Sequence, residues 1–335
     1  MKTLDELKEA ARKIAFELDA PHAAVDRHGE YIQLPAVSGT VLLLPEWHPT
    51  MSGAFYHFCM DILYPLLWLF ESSQLVRQNL DGSSFQVFSC GQFNGILLDV
   101  LPFLTIIEPL DMAGHPTAES YVYCRTFDIS WPPRRNLCIT SPMLRSFSEW
   151  LRSRSSLSRQ TVAAWPEVTG PLRRVLVVER LGPDGEGEAG RYLNANHRTV
   201  PNLKEVVEQL SAMKGVQLAV ASLEAMNYRN QIALFNEVDI VIAQHGAALA
   251  HIPWLRKGAS VIEITPKSYF TINPQFEGQN FSKSQFFQRI CQALEIQWLS
   301  CEQETPHSEI PPARIRELVE HCILARTERA GRLTN

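Results

Sequence analysis

No apolar run in the 335-residue sequence approaches the length of a membrane-spanning helix; the longest, Phe58 to Phe70, is interrupted by Asp61 and Pro65. Cysteine is too sparse for a disulfide-stapled scaffold. The seven residues (Cys59, Cys90, Cys124, Cys138, Cys291, Cys301 and Cys322) are odd in number and scattered, with no Cys-x-x-Cys pair and no alternation with histidine of the kind zinc needs. Reduced thiols in a cytosol-like compartment are the expectation. Positive charge is not in excess: 31 basic against 36 acidic residues give a net charge of −5 and a pI near 6.1, so no global field draws nucleic acid. The first twenty residues alternate charge and apolar positions instead of carrying a signal core. Internal repeats, low-complexity tracts and a Gly-x-Ser-x-Gly elbow are all absent.

What is present is globular. A hydrophobic fraction of 45% with 20% charged residues supports large cores, and the length predicts two domains. Residues 1–19 place Leu4, Leu7, Ala11, Ile14, Ala15 and Leu18 on one face of an amphipathic helix. Short strands at 31–34, 40–44, 84–89 and 104–108 and an apolar helix over 54–71 predict a first α/β domain through residue 165. Between Arg134 and Arg180 lie nine Arg against three Glu, which reads as a solvated helix and linker, or as a surface for anionic lipid or a polyanionic acceptor. Pro166 to Pro171 suits a boundary. Beyond it, strands at 174–179, 216–221, 238–243 and 260–264 alternate with helices at 202–213, 228–236 and 247–256, the parallel doubly wound pattern, over a domain spanning 172–310. A last helix, within 311–335, has the option of packing back on the first domain.

Gly185-Glu-Gly187-Glu-Ala-Gly190 spells a dinucleotide fingerprint but fails as one. It does not follow its strand directly, no helix starts at the third glycine, and Asp184, Glu186 and Glu188 repel a pyrophosphate. The informative segment is Val238 to His251. A buried strand delivers His245 to its C-terminal end, Gly246 allows close backbone approach, and Ala247 and Ala248 open a helix. That edge of an open α/β sheet is where ligands gather, and free N–H groups at a helix start suit a diphosphate. One strand on, Glu263 ends a strand at the same edge, where its carboxylate suits two ribose hydroxyls. A structural histidine capping a turn is the alternative for His245.

These residues carry a family resemblance. His245-Gly-Ala-Ala-Leu, the upstream Gln231-Ile-Ala-Leu-Phe and Gly258-Ala-Ser-Val-Ile-Glu-Ile together resemble the family-61 glycosyltransferases, whose usual form is HGAGLTN followed by an apolar strand ending in Glu. Leu176 to Arg180 and Arg191-Tyr-Leu-Asn194 resemble the family's strand-Arg and Arg-x-x-Asn signals. Phe55 to Pro65 resembles its His-x-x-x-Asp-x-x-Pro helix. The resemblance spans about residues 50 to 300. It departs at Ala248, which replaces a glycine, at Ala250 and His251, which replace Thr-Asn, at Asn230, where Glu is usual before Gln231, and at Ala195, where Glu is common.

The resemblance implies a GT-B architecture, two Rossmann-like domains facing across a cleft, with the nucleotide sugar on the C-terminal domain and the acceptor on the other. It implies inversion at the anomeric carbon with no cofactor and no obligatory metal, and the sequence has no Asp-x-Asp. The donor is expected to be a UDP-sugar and the acceptor a glycan or glycoconjugate hydroxyl. Asp61, with His57 four residues earlier on the same helical face, supplies the general base, unless the pair only packs or caps. His245, Gly246, Ala247, Ala248, Glu263, Arg180, Arg191 and Asn194 hold the donor; the two arginines read otherwise as exposed loop residues. His251 and Gln231 bear on specificity. The expected location is cytoplasmic, with peripheral membrane contact through the basic stretch. Ala248 and His251 also fit a catalytically silent glycan- or nucleotide-binding module of the same fold in a polysaccharide-assembly complex.

Overall fold

A computed structural model describes residues 4–18, 22–32, 40–43, 58–64, 66–67, 85–107, 120–124, 145, 148–149, 173–180, 199–271, 282 and 284–333. The chain divides into two compact units, Met1–Asp128 with Pro133–Ile139, and Ile129–Pro132 with Thr140–Asn335.

The first unit is built on a five-stranded sheet of order β1-β5-β2-β3-β4, from β1 (His22–Asp26), β2 (Val41–Leu43), β3 (Phe85–Phe88), β4 (Leu104–Ile107) and β5 (Ser120–Cys124). β1 runs antiparallel to β5 and the remaining pairs are parallel. The N-terminal helix, Leu4–Glu17, buries Leu7, Ala11 and Ala15 against Ala23, Val25, Val41 and Tyr121. That is the apolar stripe of the sequence, although Leu18 at its end stays exposed. Within the apolar 54–71 segment, Phe58–Leu63 forms one wide π-helical turn with Phe58 stacked on Phe93.

The second unit carries an all-parallel sheet, β6 (Arg173–Glu179), β7 (Val216–Ser222), β8 (Ile240–Gln244), β9 (Ser260–Pro266) and β10 (Gln297–Gln303), in the order β10-β9-β8-β6-β7. Counted from its own first strand this is the order 2-1-3-4-5 of a doubly wound fold. β8 and β9 are buried along their whole length, as a central parallel pair covered on both faces must be. On one face, Val175, Val177, Ile240, Ile242, Ile262 and Ile264 pack with Val206 and Leu210 of the helix Leu203–Ser211 and with Ile315, Leu318, Val319 and Cys322 of the last helix, Pro312–Leu333.

Two expectations change. The last helix was allowed a place on the first domain, but its apolar stripe completes the core of the second unit. The first domain was expected to run to residue 165, whereas the chain passes to the second unit at Thr140. Ser148 Oγ donates to the Pro253 carbonyl at 2.6 Å, and Arg145 pairs with Glu295 at 3.2 Å, contacts no linker makes. The proline-flanked stretch at 166–171 lies outside the described residues.

Candidate functional site

In a doubly wound sheet, the crossovers leave in opposite directions from the first and third strands, opening a crevice above their C-terminal ends. Here those strands are β6 and β8, which pair directly, Val177 beside Ile242. Arg180 follows β6 and is half-buried; His245 follows β8 and is nearly enclosed. Sequence spacing alone separates the two by 65 positions, and the sheet brings their strands side by side.

β8 is anchored at its start. Asp239 accepts the Arg174 backbone N–H at 3.0 Å and the Arg256 guanidinium at 2.5 Å. At its end the ladder continues for one bond, His245 N–H donating to the Ile264 carbonyl at 2.9 Å. Gly246 is fully extended, and the chain then coils as a 3-10 helix over Ala247–Trp254 rather than the α-helix expected through 256. Gly246, Ala247 and Ala248 are half-buried and everything from Leu249 to Leu255 is buried. Backbone amides are therefore approachable at the first three residues only.

The His245 ring is gripped. Its Nδ1 lies 2.5 Å from Glu263 Oε1, Tyr269 meets it edge-on with centroids at 4.9 Å, and Phe287 does so at 5.1 Å. Glu263 has no exposed surface, and its second oxygen accepts the Trp298 indole N–H at 2.7 Å. The sequence suggested a strand end and a carboxylate for ribose hydroxyls; Glu263 lies in the middle of β9 and both of its oxygens are engaged by the protein. The Cys291 thiol nearby is pushed well up by burial and by the Glu263 charge.

His251, expected near the donor sugar, is a core residue. It stacks on Phe235 with centroids at 4.7 Å, its Nδ1 meets the Ala248 carbonyl at 3.0 Å, and burial lowers its pKa to about 4. Gln231 donates to the carbonyls of Leu223 at 2.8 Å and Met226 at 2.9 Å, tying the helix Tyr228–Glu237 to the turn that precedes it. Asp61 sits in the π-helical turn of the first unit. His57, Arg191 and Asn194 lie outside the described residues. Among the described residues no group of three or more His, Cys, Asp or Glu is arranged to hold a metal ion.

Sequence reasoning passed over Trp298, Tyr269 and a buried glutamine pair at the same sheet edge. Gln244 Nε2 donates to Gln303 Oε1 at 2.6 Å and to the Pro306 carbonyl at 3.0 Å, while Gln303 Nε2 donates to the carbonyls of Thr199 at 3.0 Å and Ser308 at 2.5 Å. The only sequence signal for this pair is a glutamine at the end of each strand.

The parallel sheet of the second unit, with His245 directly after β8, defines a doubly wound α/β class, and comparison with known proteins adds the family. The chain belongs to the family Glycosyltransferase 61, whose model matches residues 55–262. It is 21% identical over 273 residues to the zebrafish protein O-linked-mannose beta-1,4-N-acetylglucosaminyltransferase 2, covering 77% of this chain and 42% of that one. The chain thus spans less than half the length of this curated relative. Among solved structures it overlays on the iron-containing dodecameric glycosyltransferase TibC from enterotoxigenic E. coli with a TM-score of 0.33 at 11% identity, over 75% of this chain and 62% of that one. The spinosyn rhamnosyltransferase SpnG overlays with a TM-score of 0.21 at 14% identity, over 73% and 72%. Overlays this loose carry no argument, and the α/β reading rests on the two sheets themselves.

Proposed function

We propose that this chain is an inverting, metal-independent glycosyltransferase that moves a sugar from a UDP donor to a hydroxyl of a glycan or glycoconjugate. The observation that carries the reading is the switch point of the second unit, where Arg180 and His245 end the neighbouring strands β6 and β8 above an approachable stretch of backbone, Gly246 to Ala248. Family membership supplies the reaction class. On this reading the fold is of the GT-B kind, with the donor on the second unit and the acceptor on the first.

In the reaction, Asp61, oriented by His57, takes the acceptor proton as the acceptor oxygen attacks the anomeric carbon. The bond from that carbon to the diphosphate oxygen breaks, and its electron pair leaves with the diphosphate. Arg180 and Arg191 stabilise that charge, together with Asn194 and the amides of Gly246, Ala247 and Ala248, while His245 holds the nucleotide by a hydrogen bond. The silent-module alternative drew on Ala248 and His251, and of these His251 stacks in the core and gives it no support.

A thermal-shift panel of nucleoside diphosphates in EDTA tests the binding half. UDP is expected to raise the melting temperature, since a ligand at about 100 times its Kd adds about 2.7 kcal/mol of stability. No shift with any nucleotide sinks the donor reading, and a shift that needs manganese sinks metal independence. Asp61→Asn is expected to cut turnover by about 10²–10⁴ while leaving UDP binding unchanged. Full activity in that variant places the base elsewhere. Nucleotide binding without transfer from any donor in a broad panel gives the silent module the case.

A further inference from the structure

Across β10, β9 and β8 runs a diagonal of three polar side chains. Trp298 pairs in register with Val261, Glu263 lies two residues beyond Val261, Ala243 pairs with Glu263, and His245 lies two beyond Ala243. Side chains two apart on a strand share a face, so Trp298, Glu263 and His245 line one side of the sheet in contact order. The helix Gln285–Ala293 closes that side, with Phe287 against His245 and Cys291 near Glu263. The indole N–H can only donate. Glu263 has two oxygens, one for the indole and one for the imidazole, and no contact with solvent.

We infer that Glu263 and Trp298 are positioning residues acting through His245: the carboxylate holds Nδ1 protonated, so that Nε2 is left as an acceptor for an N–H or O–H donor on the base or ribose of a nucleotide, and the indole keeps the carboxylate in place. This rests on the donor site proposed above. The geometry makes the device sensitive to one atom. In Glu263→Gln the amide has one oxygen and one NH₂ for two neighbours. Trp298 must have the oxygen, so the NH₂ turns to Nδ1, which must then accept, and the ring proton moves to Nε2. Removing the indole N–H as well, in Glu263→Gln with Trp298→Phe, releases the oxygen to accept from Nδ1–H again. Trp298→Phe alone leaves a carboxylate for Nδ1–H and keeps the original state.

The test is two-bond ¹H–¹⁵N correlation on the intact protein with ¹⁵N-labelled histidine, with His245 assigned by its loss in His245→Gln. Nδ1–H is expected in the parent, Nε2–H in Glu263→Gln, Nδ1–H in the double variant and Nδ1–H in Trp298→Phe. UDP titrated into the same samples is expected to bind about tenfold more weakly to Glu263→Gln and to recover in the double variant, the scale of one hydrogen bond. One tautomer throughout overturns the inference. A tautomer that follows the pattern while UDP affinity does not also overturns it, because the lock then serves no ligand. If the parent binds no nucleotide, the donor reading fails by itself, and the tautomer series still decides whether Trp298 and Glu263 set the ring. Circular dichroism on each variant separates misfolding from a tautomer change, and Glu263→Leu, which leaves Nδ1–H no acceptor and is expected to give Nε2–H, carries the decision if the glutamine variant is unstable.

Discussion

Burial decides the protonation of His251. With its pKa lowered to about 4, the ring is neutral in the folded protein down to acid pH, whereas in the unfolded chain it takes a proton near the ordinary value of about 6.5. Between those two values the unfolded state binds more protons, so stability from this residue is complete above about pH 6.5 and is lost as pH falls toward 4. The loss across that window is on the order of 3 kcal/mol. His251→Asn, whose amide N–H still reaches the Ala248 carbonyl, should remove most of that pH dependence. Urea titrations of both proteins at pH 7 and 5 check this, and parallel slopes count against it. Chain position next to the motif made His251 look like a donor contact. No residue type announces that a 3-10 coil turns it into the core, and the same limit hid the engagement of both Glu263 oxygens.

At the scale of elements, the sequence was legible where burial is continuous. β6, β8 and β9 each carry a core of consecutive buried aliphatic residues and appear within two residues of their expected bounds. β10 did not, because Gln297-Trp-Leu-Ser-Cys-Glu-Gln is an edge strand whose polar positions blur the pattern, and Trp298 went unseen with it. In the first unit β1, His22-Ala-Ala-Val-Asp26, and β5, Ser120-Tyr-Val-Tyr-Cys124, were missed, and they are the antiparallel pair of the sheet. The end of β10 also carries the loop beyond it: Gln303, fully buried, joins Gln244 to the carbonyls of Thr199 and Ser308. Gln303→Leu strands these groups and is expected to cost about 1–3 kcal/mol. Amide hydrogen exchange should quicken at Thr199–Val200 and across 304–308 while the amides of β8 stay protected. Unchanged exchange at those segments contradicts the clamp.

For the whole molecule, the repeating strand-and-helix pattern foretold an α/β chain with a doubly wound second half. Strand order was not legible, because it is fixed by pairing between segments far apart in sequence. That order is what sets Arg180 and His245 on neighbouring strands. The boundary between units was misplaced because composition marks a proline-flanked stretch but not what the residues before it pack against. The central claim is that a nucleoside diphosphate sits at the switch point of the second unit and is held by His245. Isothermal titration of UDP in EDTA against the parent and His245→Ala tests it most directly. Loss of one buried or charge-assisted hydrogen bond predicts a weakening of about 1–3 kcal/mol, roughly tenfold to a hundredfold, with stoichiometry unchanged. Equal affinity in the two proteins would contradict the account.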